Sequence, residues 1–432
     1  MENTHPSTNI CLACIGDPVL KEALRSTAVD SVCDFCGQSN PGVTIADLAR
    51  HVDGTLRSVL SQGETSARFS VDSDSPSYEQ DGDELLLYAQ ELLDIDLEPA
   101  EALVEALIEQ DPANPGDGED PFFADDQLYQ RADVVDWEFE ETWREFAELL
   151  KHDQRFFGSD ARAQLARILG ESGSVEAAEL PVFTLGEEGS PVQIFRARRA
   201  KSFEDARILL SAPHRELSAP HPRLVTGGRM NPAGIAVFYG AMSEEVAIAE
   251  VRPSVGGIVI VGHFAPEGPI RLLDLTQLHQ VSASGSVFAD NYYERQARAK
   301  FLRGFHRLIV QPVQPEDEPL EYLPTQAVAE YVRNVLGFDG ILYASTQIGA
   351  LETDWLDDDV PDVVREHCNV ALFARLVREH SSDRWSFPAL IGTRVEHPLK
   401  YEDGSAHAVR IGRVAYDSVS VDVPDAHANP DF

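Results

Sequence analysis

The chain has 432 residues, of which 43% are apolar and 25% are charged, as is usual for globular proteins. With 73 acidic against 35 basic residues its formal net charge is −38, which repels a phosphate backbone and disfavours binding of nucleic acid. The sequence shows neither the roughly 18 consecutive apolar residues of a membrane span nor a secretory signal at its start, so a cytoplasmic location is expected, without membrane partners. The excess of acidic residues is explained by solubility or by a high-salt cytoplasm. Binding of a basic protein partner is the more specific alternative explanation.

The first notable feature is a pair of CxxC motifs, Cys11 with Cys14 and Cys33 with Cys36. Two such motifs about 15–20 residues apart can bring four thiolates to one tetrahedral zinc ion. Because four cysteines fill the coordination shell, we predict a structural zinc in a module over residues 1–43, not a catalytic one.

Apolar spacing then predicts a helical domain over residues 44–172. Thr44 is suited to cap the first helix, and further helices are predicted over 83–93, 99–108, 134–150 and 160–169. The aromatic side chains of 134–150 are expected in the core, and the Pro- and Gly-rich stretch 111–121 is expected to be a loop.

Beyond a short connector near 171–180 the pattern changes to alternating strands and helices. Short β-branched and aromatic segments predict strands over 192–195, 236–239, 257–261 and 270–275, with helices over 244–250, 292–305 and 325–336. We therefore expect a second domain over 180–400, followed by strands and a polar tail over 401–432. The predicted fold class is α+β.

The second half of the chain contains the candidate catalytic and binding residues. They lie at predicted strand ends, in a Gly-rich stretch and at the end of a short helix: Arg196, Arg229, Tyr239, Glu250, Ser345 and Asn369. An arginine beside glycines can bind a phosphate group closely, and a tyrosine can offer its ring to a flat base and its hydroxyl to a sugar. A carboxylate can stabilise the positive charge that develops at an anomeric carbon during cleavage. Such a set is suited to cleaving NAD, but on these residues alone it indicates only a phosphate-containing ligand that is cleaved or bound.

The order of these motifs resembles a known family. The matching segments are Phe195-Arg196, Gly228-Arg229-Met230-Asn231-Pro232-Ala233-Gly234, Phe238-Tyr239, Ala249-Glu250-Val251-Arg252-Pro253, Tyr343-Ala344-Ser345 and Asn369. From about 181 to 373 the chain resembles the RES domain, found in bacterial toxins that consume NAD. The resemblance implies a split β-core similar to the ADP-ribosyltransferases of the diphtheria-toxin class, with NAD as substrate.

The same resemblance implies roles for individual residues. It implies Glu250 as the catalytic carboxylate, with Arg229 and Ser345 in the catalytic set. Arg196 and Arg229 would lie on the diphosphate side, and Tyr239 and Ser345 would line the nicotinamide–ribose pocket. Asn369 would support NAD binding, although an acidic insertion over 352–359 precedes it and departs from the family's pattern.

The first half of the chain resembles the helical domain of the HEPN superfamily that precedes RES domains in some bacterial proteins. HEPN ribonucleases use an arginine followed, after four to six residues, by a histidine. Within 44–170 Arg144 and His152 come nearest to this motif but are too far apart. The helical module is therefore predicted to bind or regulate, without cutting RNA.

Four functional hypotheses follow from the sequence. The first is an NAD glycohydrolase that acts as a toxin or defence effector, with a cognate antitoxin or another protein as partner. The second is an enzyme that transfers ADP-ribose to a protein. The third is a HEPN-type RNA-directed protein with a degenerate RES fold, and the fourth is a protein that acts only through interactions.

Overall fold

The computed structural model describes residues 8–68, 77–111, 120–155, 158–187, 192–348, 365–378 and 393–414. The acidic insertion over 352–359, most of the loop predicted over 111–121 and the end of the polar tail lie outside these ranges. None of the helices within the described ranges is both long and apolar enough to cross a membrane. The chain divides into two compact units: Met1–Glu138 with Ser282–Lys300, and Phe139–Val281 with Phe301–Phe432. The domain boundaries expected near 43, 172 and 180 remain predictions.

The first part of the chain combines four helices with short strands. In chain order these are β1 (Asn9–Cys11), α1 (Pro18–Leu24), β2 (Val29–Val32), β3 (Ser39–Thr44), α2 (Ile45–Val59), β4 (Leu60–Gln62), β5 (Thr65–Arg68), β6 (Ser77–Gln80), β7 (Asp83–Glu84), α3 (Leu85–Leu93), α4 (Leu97–Glu109) and β8 (Leu128–Arg131). Strand β3 lies between β1 and β2, β8 lies between β4 and β7, and β5 pairs with β6.

The prediction of an entirely helical domain from residue 44 onward is wrong, because this region also contains strands. Strands β4 to β8 are only two to four residues long, too short for an alternating pattern to separate them from loops. The helices themselves are confirmed. The hydroxyl of Thr44 accepts a hydrogen bond from the backbone N–H of Asp47 at 3.0 Å and so caps α2, as predicted.

From residue 137 onward the described chain forms a mixed arrangement of helices and strands. In order these are α5 (Trp137–Glu148), α6 (Ser159–Leu169), α7 (Val175–Ala178), β9 (Val182–Leu185), β10 (Ile194–Ala200), α8 (Phe203–Ser211), α9 (Pro213–Glu216), β11 (Val237–Ala241), α10 (Glu244–Glu250), β12 (Ile258–Pro266), β13 (Ile270–Asp274), α11 (Tyr292–Val310), α12 (Glu318–Glu321), α13 (Leu323–Asn334), β14 (Gly340–Ala344), β15 (Cys368–Phe373), β16 (Arg375–Arg378), β17 (Thr393–Glu396), β18 (Leu399–Tyr401) and β19 (His407–Arg410). The helix predicted over 244–250 is confirmed as α10. In α5, Phe139 and Phe146 are buried as expected, but Trp137 is 61% exposed, so its prediction as a core residue is wrong.

The second unit is built around a mixed nine-stranded sheet. Its strand order is β18-β12-β10-β11-β15-β14-β13-β9, with β19 also paired to β12. Strands β13 and β14 run parallel, whereas the other neighbouring pairs are antiparallel. The side chains on one face of this sheet, among them Phe238, Phe264 and Leu372, form a buried apolar core.

The sheet opens at one position between its central strands. Strand β10 pairs with β12 over seven residues, and β11 pairs with β15 over five. Between β10 and β11, by contrast, only Phe195 and Ala241 are partners. The two strands therefore separate beyond this pair, and residues on their facing edges become available to line a cavity.

Candidate functional site

A cavity of about 620 Å³ lies where β10 and β11 separate. A volume of this order is typical of small-molecule sites. Five of the six predicted site residues line it: Arg196, Arg229, Tyr239, Glu250 and Asn369. The sixth, Ser345, reaches the group through a hydrogen bond to Glu250. Residues separated by as many as 173 positions in the chain are thus brought to one cavity, which we call the first cavity.

Glu250 is the last residue of α10, and two side chains hold its carboxylate. Its Oε1 accepts a hydrogen bond from the Ser345 hydroxyl at 2.6 Å and another from the Asn369 amide nitrogen at 2.7 Å. Within the described ranges no residue donates to Oε2. One oxygen thus fixes the orientation of the carboxylate, while the other is available to face a ligand.

Ser345 and Asn369 are positioned by neighbouring strands. Ser345 directly follows β14, and Asn369 lies on β15 opposite Tyr343. The strand end is held by His306, whose Nε2 accepts a hydrogen bond from the backbone N–H of Ala344 at 3.2 Å. Burial lowers the pKa of His306 to about 3, so the imidazole is neutral and its Nε2 can act as an acceptor.

Arg196 extends from β10 with one nitrogen buried and without a partner. Its guanidinium carbon lies 4.8 Å from the centre of the Phe238 ring. Its Nη1 is buried and forms no hydrogen bond with any described residue. Burial, assisted by the charge of Arg198, lowers the pKa of Arg196 to about 10, which leaves it cationic at neutral pH. A buried cation with an unused donor is suited to an anionic ligand.

Arg229 is bound differently, because backbone carbonyls already engage it. Its Nη1 donates to the carbonyl of Ile309 at 2.7 Å, and its Nη2 donates to that of Gln311 at 2.9 Å. The ring of Tyr322 lies 4.8 Å from its guanidinium carbon. Since a guanidinium has five N–H groups, three remain for a ligand.

Tyr239 uses its hydroxyl within the protein. The hydroxyl donates to Oδ1 of Asn231 at 2.7 Å and accepts from the backbone N–H of Met230 at 3.0 Å. A Cβ atom on Gly228 would lie 3.0 Å from this hydroxyl, which explains a glycine at that position. The hydroxyl therefore holds the Gly-rich stretch in place, and the ring is the part of Tyr239 that lines the first cavity.

Several further residues that line the first cavity have no role predicted from the sequence. Arg198, Arg199, Arg252, Tyr322 and Tyr343 also line it. Its lining contains five arginines and two glutamates, in a chain whose net charge is −38. Arg252 is in addition held at a φ of 44°, a conformation that is uncommon outside glycine and is concentrated at functional sites. Arg252 lies in the motif segment 249–253, and Tyr322 begins the segment Tyr322-Leu323-Pro324-Thr325-Gln326, so the sequence contained a signal for both residues.

In the first unit, the four N-terminal cysteines form a cluster. Their sulfur atoms all lie within 4.8 Å of one another, and the distances from Cys11 to Cys14 and to Cys36 are both 3.6 Å. Four sulfurs about 2.3 Å from a central zinc ion would be about 3.8 Å apart, so the cluster has the size of a tetrahedral metal site. Burial opposes ionisation of Cys33, but N–H groups of Cys36, Cys11 and Phe35 outweigh it and lower its pKa to about 7. These residues can hold a metal ion, as predicted from their spacing.

Known domain families match both halves of the chain. The RES domain family matches residues 194–388, which contain all six predicted site residues of the second half. The family described as HEPN/RES N-terminal domain 1 matches residues 26–164. No curated protein matches the chain, and no solved structure does.

Proposed function

Because the chain is a member of the RES domain family in which a HEPN/RES N-terminal domain precedes the RES domain, we propose that it cleaves NAD at the bond between nicotinamide and ribose, with water as the acceptor. The RES domain points in general to an enzyme that acts on NAD. The observation that carries the specific proposal is the shared cavity, in which the oriented carboxylate of Glu250 and the guanidinium of Arg196 line the same space.

The proposed reaction uses Glu250 for electrostatic stabilisation. The bond between C1′ of the ribose and the nicotinamide nitrogen breaks, its electron pair leaves with nicotinamide, and positive charge develops on the sugar. Oε2 of Glu250 would stabilise that charge, whereas Oε1 is occupied by its two donors. A water molecule then bonds to C1′ and releases a proton, which yields ADP-ribose and nicotinamide. At about 4 Å and an effective dielectric constant near 20, the attraction is about 4 kcal/mol, equivalent to roughly a thousandfold in rate.

The remaining groups of the first cavity would bind the substrate. The cationic side chains of Arg196, Arg229 and Arg252 are suited to the diphosphate. The rings of Tyr239 and Tyr343, whose pKa values are raised by burial, remain uncharged and can pack against nicotinamide and its ribose.

For the cysteine cluster we propose a structural zinc ion. Four sulfur ligands are typical of structural zinc sites and leave no open position for catalysis. The ion would hold β1 and the second CxxC pair together, and it would take no part in cleavage.

We further propose that NAD consumption makes the protein a toxin or defence effector, restrained by a protein partner. Loss of NAD would stop growth of the producing cell. Expression of the wild-type chain should therefore arrest growth, and expression of a Glu250→Gln variant should not.

The proposal is tested by nicotinamide release from NAD by the purified full-length protein. Glu250→Gln should lower the rate by at least a hundredfold, and Arg229→Ala should also lower it. Glu245→Gln is the matched control, because Glu245 lies exposed on the same helix and does not line the first cavity. Absence of nicotinamide release by the wild type, or equal rates for both glutamate variants, would refute the proposal. Labelled NAD identifies the acceptor: free ADP-ribose indicates hydrolysis, and label bound to protein indicates ADP-ribosyl transfer and contradicts water as the acceptor.

A further inference from the structure

A second and larger cavity, of about 1340 Å³, lies in the same unit. We call it the second cavity; its lining includes Arg196, Ser218, Phe264, His397 and Lys400. Arg196, Ala197 and Arg198 border both cavities, while Glu250 borders only the first. One wall comes from residues 395–403, which lie beyond the region that matches the RES domain family. The second cavity is thus partly built by a segment outside that family match.

His397 in this cavity has one ring nitrogen bound and the other free. Its Nε2 lies 2.7 Å from the Ser218 hydroxyl, and its ring centre lies 4.7 Å from that of Phe238. Burial, assisted by the charge of Arg196, lowers the pKa of His397 to about 4, so the ring is neutral at pH 7. Nδ1 is buried and has no hydrogen-bond partner in the part of the chain that the structure describes.

Arg196, which borders the second cavity as well as the first, carries a second unpaired buried nitrogen. Across the described ranges three buried side-chain nitrogen or oxygen atoms have no partner, namely Arg196 Nη1, His397 Nδ1 and Gln164 Oε1. The first two belong to residues that line the second cavity and pack against the same ring of Phe238. An unpaired buried polar atom is unfavourable, so two such atoms on residues that line one cavity favour a ligand that satisfies them.

The two nitrogens differ in what they require of a ligand. The guanidinium of Arg196 needs an acceptor and binds a phosphate group best. A neutral imidazole nitrogen is satisfied by a hydroxyl group, which can donate or accept according to the tautomer. A phosphate group attached to a sugar offers both. The ring of Tyr401, which is half-buried in the lining, adds flat apolar surface for a base.

We propose that the second cavity binds a nucleoside phosphate, with the phosphate on Arg196 and a sugar hydroxyl on His397. This chemistry has two sources, which the experiment separates. One source is the adenylate end of NAD, which would extend from the first cavity past Arg196 into the second. This source rests on the proposed function. The other is a free nucleotide.

The test measures binding of AMP to the full-length Glu250→Gln protein by calorimetry. His397→Phe keeps a ring beside Phe238 but removes both nitrogens, and it should weaken AMP binding at least tenfold. His152→Phe is the matched control, since His152 is exposed and does not line the cavity. A second variant, Lys400→Glu, changes an exposed side chain of the lining, and it should weaken binding of AMP but not of adenosine. No AMP binding, or equal affinity in His397→Phe and the control, would overturn the proposal.

Kinetics with NAD then identify the source of the phosphate. If the adenylate end of NAD occupies the second cavity, His397→Phe raises KM for NAD and leaves kcat unchanged. If the occupant is a free nucleotide, the variant loses AMP binding while KM for NAD stays the same. Failure of the proposed function would appear separately, as AMP binding in a wild-type protein that releases no nicotinamide.

Discussion

Glu250 differs from the other glutamates of its helix because two buried side chains hold one of its oxygens. Ser345 and Asn369 both donate to Oε1, and both are buried. A carboxylate fixed in this way needs no reorganisation when charge develops beside it, which is where preorganised electrostatic groups have most effect. Ser345 and Asn369 are therefore interpreted as positioning residues.

We expect removal of either donor to affect kcat more than KM. Hydrogen bonds to charged groups contribute about 1.5–3 kcal/mol, so Ser345→Ala and Asn369→Leu should each lower kcat about 10- to 100-fold. Steady-state kinetics of nicotinamide release provide the measurement. Ser211→Ala serves as the control, because that hydroxyl is exposed at the end of α8. Unchanged kcat in both variants, with intact thermal unfolding, would show that the two hydrogen bonds have no part in catalysis.

The sequence predicted which types of side chain form the site, but it did not predict the contacts that surround each of them. The sequence suggests the same role in phosphate binding for Arg196, at a strand end, and for Arg229, in a Gly-rich stretch. In the structure Arg229 is engaged by the carbonyls of Ile309 and Gln311, whereas Nη1 of Arg196 has no partner among the described residues. Those acceptors lie about 80 positions away in the chain, so no local pattern could have separated the two arginines.

At the scale of elements, the separation of β10 from β11 creates the first cavity. The sequence predicted only the first two residues of β10 but most of β11, because the apolar residues are clustered there. It could not predict their partners, since strand pairing is decided by contacts between distant segments. The single pair between Phe195 and Ala241, and hence the opening of the sheet, is visible only in the structure.

The cysteine cluster is the element that the sequence predicted most completely, because two CxxC motifs at this spacing fix both the ligands and their number.

We expect Cys14→Ser to lose the bound metal and to lower the unfolding temperature of the first unit, since zinc binding at such sites contributes on the order of 10 kcal/mol. Metal analysis with thermal unfolding, with and without a chelator, measures both effects. Cys368→Ala is the comparison, because Cys368 lies on β15 and should leave one zinc ion per chain. A Cys14→Ser protein with one equivalent of zinc would contradict the assignment.

At the scale of the whole molecule, buried His306 and half-buried His397 should make the stability depend on pH. The pKa values of His306 and His397 are lowered by burial to about 3 and about 4, whereas an unfolded histidine titrates near 6.5. Below about pH 6.5 the unfolded chain therefore binds more protons than the native chain, and the free energy of unfolding falls as the pH falls. Each histidine contributes a slope of up to about 1.4 kcal/mol per pH unit.

Urea unfolding between pH 4 and 7 tests this expectation. His306→Gln keeps an acceptor for the N–H of Ala344 but does not titrate, so its slope should be shallower than that of the wild type. His152→Gln alters an exposed histidine and serves as the control. Identical slopes for the wild type and His306→Gln would show that His306 is not buried as a neutral ring.

The central claim is that NAD lies in the first cavity with its scissile bond at Glu250. The most direct measurement is a crystal structure of the full-length Glu250→Gln protein with NAD bound. We predict that C1′ of the nicotinamide ribose lies about 4 Å from the side chain of residue 250, the separation at which a carboxylate gives the attraction invoked above, and that the diphosphate contacts Arg196. Density for NAD at another surface, or in the first cavity with the nicotinamide ribose turned away from residue 250, would contradict the account.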